Sequence, residues 1–330
     1  MKKTKKTILI TQSVKEKTRQ YIDGLAAGLD NVLYLEDFDE QKRQDAFDEA
    51  DIVLSLNPER ELKKGEIEYL EHVEYLQLLS AGMDHLPFDL LPEKLTVAGN
   101  SGAYAIPMAE HALGMILALA KRLREEDRNM RKGEFNQMRR NTLLHGKKAA
   151  IIGFGGIGKE TARLLRALNM KISAVNTSGK TDEPVDFIGT TNDLQKVLEG
   201  AAVVVLSLPL NKYTRGLIGE QELHWIEKDA ILINVARGEI IDQKALYDKL
   251  LNNPDFKAGI ESWWVEPFRH GKFKLDYPLL DLDNVLACPH NSSMVPELFQ
   301  FGLENAFRNI QRYVNGEPLQ GVLNREAFEV

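Results

Sequence analysis

The chain holds a single cysteine, Cys288, among 330 residues. One thiol closes no intrachain disulfide and builds no multi-thiolate centre, so disulfide scaffolds and zinc ribbons are excluded and no metal site is expected. Long apolar runs are also missing. The longest, Ala112 to Ala120, falls well short of the roughly 20 residues that a membrane span needs. Lys2, Lys3, Lys5 and Lys6 look like the basic start of a signal peptide, but only Ile8 to Ile10 follows before Thr11, Gln12 and Ser13, which is too little for its hydrophobic region. Positive charge is not in excess: 42 basic and 49 acidic residues give a formal net charge of -7, against an extended nucleic-acid footprint. No solenoid-length repeat or low-complexity tract occurs. What is present, 43% hydrophobic and 28% charged residues, is the composition of an ordered globular protein. It is expected in the cytoplasm with no nucleic-acid or membrane partner, and its length suggests about two domains.

Short β-favouring runs alternate with helical patterns. Thr7 to Thr11, Asn31 to Leu35, Asp51 to Leu54, Tyr75 to Leu79 and Leu95 to Ala98 read as strands, with helical spacing in Val14 to Gly28 and Asp39 to Ala50. Such alternation predicts a parallel sheet covered by helices. A long helix is expected from near Ala105 to Pro107 through Ala120, since proline suits a first helical turn. After the charged stretch Lys121 to Arg140, six further strands are expected: Lys148 to Ile152, Lys171 to Val175, Ala202 to Leu206, Ala230 to Val235, Lys257 to Glu261 and Val285 to Ala287. The predicted fold is therefore α/β with two doubly wound parallel-sheet domains, the second matching a dinucleotide-binding unit. A final helical pattern covers Glu297 to Val314.

Gly153, Gly155 and Gly158 have G-x-G-x-x-G spacing, follow an apolar strand and open a helix whose Ala162, Leu164 and Leu165 suit a sheet-facing side. In such a site Gly153 makes the tight turn, Gly155 lets the backbone approach a pyrophosphate, and Gly158 lets helix pack closely on strand. The helix N-terminus, with Gly156 and Ile157, offers N–H groups to phosphate. At the end of the next strand, Asn176, Thr177, Ser178 and Lys180 stand where an NAD site usually has a carboxylate. Lacking an acid to repel a 2'-phosphate, the loop favours NADP(H), although Asn176 can also serve the ribose of NAD(H).

Of seven histidines, His72, His145, His224 and His270 lie in polar stretches and suit a solvated surface. His111, inside the apolar helix, reads as a satisfied packing residue, and His85 in a glycine-containing loop stays open. His290 follows Pro289 just after an expected strand. Ligands of open α/β sheets bind outside the carboxyl ends of the strands. Two other strand ends run towards Arg237 and Glu266, so an arginine, a carboxylate and a histidine either converge in one crevice or form ordinary strand-end ion pairs.

Leu79 to His85, Asn100 to Leu113, Gly153 to Gly158, Leu208 to Ile218, Ile233 to Asp242, Glu266 with Pro267, and Pro289 with His290 follow one another along the chain. In motifs, order and spacing the chain resembles the D-isomer-specific 2-hydroxyacid dehydrogenase family over nearly its whole length. The resemblance implies a homodimeric enzyme that transfers a hydride between a nicotinamide cofactor and a small 2-oxo or 2-hydroxy acid. It also implies a Rossmann coenzyme domain, residues 100–293, inserted in a discontinuous flavodoxin-like substrate domain, residues 1–99 and 294–330, with substrate in the cleft between them.

Carried over by position, Arg237 resembles the substrate-binding arginine, Glu266 the histidine partner and His290 the general acid/base. Ser80, Ala81 and Gly82 resemble the loop whose N–H groups hold the substrate carboxylate. Leu208 and Pro209 resemble positions near the adenine, and Val235 and Ala236, with Arg237 and His290, positions near the nicotinamide. Glu261 stands where the family commonly has Asp for the carboxamide contact, and Ser262, Trp263 and Trp264 replace a more usual Val-Phe pattern; packing is expected for the tryptophans. Cys288, where a hydroxyl residue is usual, reads as a small buried residue. Formate dehydrogenases place Gln where Glu266 stands, which argues against that activity. The related corepressors imply an alternative, an NAD(P)-sensing interaction protein.

Overall fold

Alternate side chains of each strand in the first hundred residues are apolar on both faces, which is the signature of strands buried on two sides. The computed structural model describes residues 6–27 and 31–328; Lys2, Lys3, Lys5 and Gly28 lie outside them. Among the described residues, β1 (Ile8–Ile10), β2 (Val32–Tyr34), β3 (Ile52–Ser55), β4 (Tyr75–Leu78) and β5 (Thr96–Ala98) form a sheet in the order β2-β1-β3-β4-β5. Every pairing is parallel, and the order is that of flavodoxin-like folds. Leu9, Val53, Leu76 and Val97 point to one face, packed with Phe47 and Leu70. Ile8, Ile10, Ile52 and Leu54 point to the other, where Ile22 and the last helix's Leu303, Phe307 and Ile310 cover them. The helix Leu298–Asn315 thus belongs to the first unit, which comprises residues 1–104 and 295–330; residues 105–294 form the second.

The second unit contains β6 (Lys148–Ile152), β7 (Lys171–Val175), β8 (Phe187–Gly189), β9 (Ala201–Leu206), β10 (Ile231–Asn234), β11 (Lys257–Ile260) and β12 (Val285–Ala287). Its sheet runs β12-β11-β10-β9-β6-β7-β8, again with parallel pairings. The expected six strands are corrected to seven. β8 escaped because it ends in Gly189 and follows the polar turn 181–186, so that only Phe187 and Ile188 mark it. The sequence Lys121 to Arg140 likewise contains a helix, Leu123–Arg131, that its charge had concealed.

Strand order reverses between β6 and β9, the place where doubly wound sheets bind ligands. The helices Ala105–Ala120 and Gly156–Ala167 cover one face of this sheet through Met115, Ile116, Ala162 and Leu165. Leu194, Leu223 and Leu246 from shorter helices cover the other. Registry holds Ile152 level with Leu206, Asn234 level with Leu206 and Ile260, and Ala287 level with Ile260. The carboxyl ends of these strands are therefore aligned, and the segments that leave them emerge on one edge.

Candidate active site

The glycine turn is built by contacts from two neighbouring strands. Gly153 and Phe154 donate their N–H groups to Val175 O at 3.1 and 2.9 Å, and Ser207 Oγ donates to Gly153 O at 2.9 Å. Gly153 has φ +99°, and a Cβ there would lie 2.6 Å from Ser207 O. A Cβ on Gly158 would lie 2.3 Å from Gly153 O, so helix and turn touch backbone to backbone. Gly155 is different. Its φ is -93° and a Cβ would meet nothing within 4 Å, so neither conformation nor protein packing demands glycine. Close approach of a diphosphate to the backbone would demand it, and the N-terminus of the helix Gly156–Ala167 beside it, with Ile157 in its first turn, suits that charge. The residues present fit a dinucleotide.

Beyond β7, Asn176 Oδ1 accepts the N–H groups of Ser178 and Gly179 at 3.1 and 2.7 Å, while its Nδ2 donates to Lys180 O at 2.8 Å. Asn176 thus organises an Asx turn. Thr177, Ser178 and Lys180 are exposed around it. On the other side of the switch point, Leu208 packs on the core while Pro209 is exposed.

β10 ends in Asn234, almost wholly buried, whose Oδ1 accepts Ala236 N–H at 3.0 Å and whose Nδ2 donates to Arg237 O at 2.9 Å. This residue, unnoticed in the sequence, shapes the loop that presents Arg237; a polar residue closing an apolar strand was the available signal. Val235 and Ala236 are buried on opposite faces of the sheet. The half-buried Arg237 donates from Nη1 to Ala236 O at 2.8 Å.

His290 follows β12 with φ +53°, a left-handed conformation that costs most residues about 1 to 3 kcal/mol, though histidine is among those enriched there. Glu261, fully buried at the end of β11, holds this backbone from two points: its carbonyl accepts His290 N–H at 3.0 Å and its Oε1 accepts Ser292 N–H at 2.8 Å. His290 Nδ1 lies 2.7 Å from Glu266 Oε2, and Glu266 Oε1 accepts Trp263 N–H at 2.6 Å. Burial pushes the Glu266 carboxyl up, but the hydrogen bond and charge of His290, the Trp263 amide and the Arg237 charge outweigh it and hold the group below the ordinary carboxylate range. A carboxylate on Nδ1 orients the ring and leaves Nε2 as the nitrogen that can exchange a proton with a ligand.

Ser80, Ala81 and Gly82 leave β4 in the first unit. Ser80 O accepts Asn100 N–H at 2.8 Å, Ser80 Oγ donates to Gly82 O at 3.1 Å, and Tyr104 Oη donates to Leu79 O at 2.7 Å. Arg237, Glu266, His290 and the dinucleotide-loop residues all lie in the second unit. Of the other histidines, His72, His145, His224 and His270 are exposed, yet His270 Nδ1 accepts Glu266 N–H at 3.0 Å. His111, expected to be satisfied, has a buried Nε2 without a hydrogen-bond partner. Cys288 is half-buried, and burial pushes its thiol up.

A family model described as D-isomer specific 2-hydroxyacid dehydrogenase, NAD binding domain, matches residues 113–292. The hydroxypyruvate reductase of Thermotoga maritima is 30% identical over 234 residues, 70% of this chain and 74% of that enzyme. The D-3-phosphoglycerate dehydrogenase of Methanocaldococcus jannaschii is 28% identical over 262 residues, 78% of this chain but 49% of that protein, so the chain spans about half its length. A solved D-isomer specific 2-hydroxyacid dehydrogenase from Xanthobacter autotrophicus, in complex with NADPH and MES, shares the fold with a TM-score of 0.79 at 24% identity, over 98% of this chain and 100% of that one. Fold and matches define an NAD(P)-dependent oxidoreductase. The chain belongs to the D-isomer specific 2-hydroxyacid dehydrogenase family, enzymes of 2-hydroxy and 2-oxo acids.

Proposed function

We propose that the protein reduces a small 2-oxo acid to its 2-hydroxy acid, and runs the reverse, with His290 as general acid/base, Glu266 as its partner and Arg237 as the substrate-binding cation. The observation that carries this reading is the 2.7 Å contact between His290 Nδ1 and Glu266 Oε2 beyond the carboxyl ends of the sheet. When bound, the nicotinamide supplies the hydride to the 2-oxo carbon. As negative charge grows on the substrate oxygen, protonated His290 delivers a proton from Nε2, and the Glu266 carboxylate steadies the imidazolium until then. In oxidation, neutral His290 takes the proton back. Arg237 pairs with the substrate carboxylate in a forked geometry that lysine lacks and polarises the carbonyl. The N–H groups of Ser80, Ala81 and Gly82 are assigned to the same carboxylate. The first unit serves substrate and the second coenzyme. Dehydrogenase and reductase names among the relatives favour this reading over the corepressor alternative.

NADP(H) is proposed over NAD(H), on the exposed Thr177, Ser178 and Lys180 around the Asn176 turn and the absence of a carboxylate from Asn176 to Lys180. Val235, Ala236 and Glu261 are assigned to the nicotinamide side and Leu208 and Pro209 to the adenine side. One matrix tests substrate and coenzyme together: glyoxylate, hydroxypyruvate and pyruvate against NADPH and NADH, for the wild type and Lys180→Glu. Turnover with NADPH preferred is expected, and Lys180→Glu should lose about tenfold in kcat/KM for NADPH, one charge-assisted contact, with little change for NADH. No oxidation of either coenzyme with any acid would sink the enzyme reading. Equal use of both by the wild type would sink the preference alone.

A homodimer is proposed from the apolar side chains exposed in one stretch of the second unit, Leu123, Met130, Phe135, Met138 and Leu143, of which Met138 is 87% exposed. Light scattering should show a dimer for the wild type and a monomer for Phe135→Asp combined with Met138→Asp; a monomeric wild type at micromolar concentration overturns it. The half-buried free thiol of Cys288 suits the reducing cytoplasm.

A further inference from the structure

We infer that Trp263 and Trp264 are positioning residues that lock the Arg237, Glu266 and His290 segments to one another. The inference rests on the roles proposed above for those three residues. Each polar group of this Trp-Trp pair for which the structure gives a bond reaches a different one of these segments. The backbone N–H of Trp263 donates to Glu266 Oε1 at 2.6 Å. Its indole N–H donates to Cys288 O at 2.8 Å, two residues before His290. The indole N–H of Trp264 donates to Ile241 O at 2.8 Å, at the far end of the turn that begins with Arg237.

The pair also carries that turn from beneath. A Cβ on Gly238, the residue after Arg237, would lie 2.3 Å from both Trp263 C and Trp264 N, so the peptide joining the two tryptophans is the floor on which the arginine loop rests. Trp263 is buried, with Phe273 edge-on at a centroid distance of 5.6 Å, which leaves its indole little freedom to turn. A second tie runs parallel: Arg269, three residues beyond Glu266, makes a forked ion pair with Glu239 at 2.9 and 3.1 Å.

A tryptophan that merely fills space needs one partner for its N–H anywhere within reach. Here the partners are carbonyls of the two segments that carry the acid/base and the substrate cation, and the carboxylate between them is held by the same residue's amide. Catalytic groups must be held to within about half an ångström, and a displacement of about 1 Å can cost on the order of a hundredfold in rate. Two indoles donating to main chain provide that stiffness because neither ring can swing without breaking its bond.

The test uses the full-length enzyme and the phenylalanine variants, which keep a ring but lack the N–H, beside His290→Asn as reference. Trp263→Phe should lower kcat about tenfold or more with the KM for the oxo acid less affected, as the His290–Glu266 contact loosens. Trp264→Phe should instead raise the KM for the oxo acid about fivefold, because it frees the Arg237 turn, with kcat less affected. Coenzyme binding, followed by reduced-nicotinamide fluorescence, should change less than either kinetic effect in both, since the glycine turn that holds the diphosphate is untouched. Folding is checked by thermal melting; should Trp263→Phe fail to fold, the half-buried Trp264 carries the test. Variants that fold and keep kcat and KM overturn the inference while His290→Asn is inactive. A fully active His290→Asn overturns the catalytic assignment and the inference with it.

Discussion

Replacing His290 with asparagine is expected to lower kcat by about a hundredfold to ten-thousandfold, the range that a positioned acid/base contributes, while the protein folds and binds coenzyme as before. Asparagine is chosen for a backbone reason. His290 sits at φ +53°, and asparagine tolerates the left-handed region better than most non-glycine replacements, so loss of the ring is separated from loss of the loop. Its amide can still hydrogen-bond Glu266, whose burial would otherwise leave a carboxylate oxygen without a partner. Steady-state turnover, with coenzyme affinity measured separately by fluorescence, checks this. Turnover within a few-fold of wild type would remove His290 from the mechanism. Glu266→Gln refines the result, because the carboxyl it replaces is held below its ordinary range partly by His290. The amide keeps the size of the group but removes the charge that orients the His290 ring through Nδ1, so kcat should fall about tenfold or more with coenzyme affinity unchanged.

Replacing Gly153 with alanine is the second large effect expected. The φ of +99° is strained for any side chain, and the new Cβ would stand 2.6 Å from Ser207 O and 2.7 Å from Leu208 Cβ. Strain of about 1 to 3 kcal/mol plus displacement of the turn should lower the melting temperature and weaken coenzyme binding by about a hundredfold or more. Gly155→Ala is the informative contrast. Its Cβ has open space and its φ is ordinary, so the melting temperature should hold while coenzyme binding alone falls. Gly155→Ala binding NAD(P)H as tightly as wild type would place the diphosphate elsewhere.

The fold was legible wherever a strand was long enough to carry an apolar run. Eleven of the twelve strands among the described residues coincide with expected ones. The exception, β8, shows only Phe187 and Ile188 before Gly189 and lies at the sheet edge, where its place is set by pairing with β7. The glycine turn was legible because its requirement is local: Gly153 and Gly158 meet five residues apart. Asn176 shows the opposite case. Residue type suggested a ribose contact; the fold adds that its amide accepts the N–H groups of Ser178 and Gly179 and donates to Lys180 O, an Asx turn that residue type alone did not announce.

Sequence alone determined the class of the fold, the glycine turn and the short roster of residues able to do chemistry, since strand periodicity and glycine spacing are encoded within a few residues of one another. Tertiary structure decided which members of that roster meet. His290 reaches Glu266 across 24 positions, and Trp263 reaches Cys288 across 25, because β10, β11 and β12 are neighbours in the sheet and end level with one another. That adjacency comes from strand order and registry, properties of the packed sheet as a whole. The single cysteine marks the difference: its thiol excluded disulfides from the outset, but the use made of its residue, a backbone carbonyl holding an indole two positions before His290, exists only in the fold.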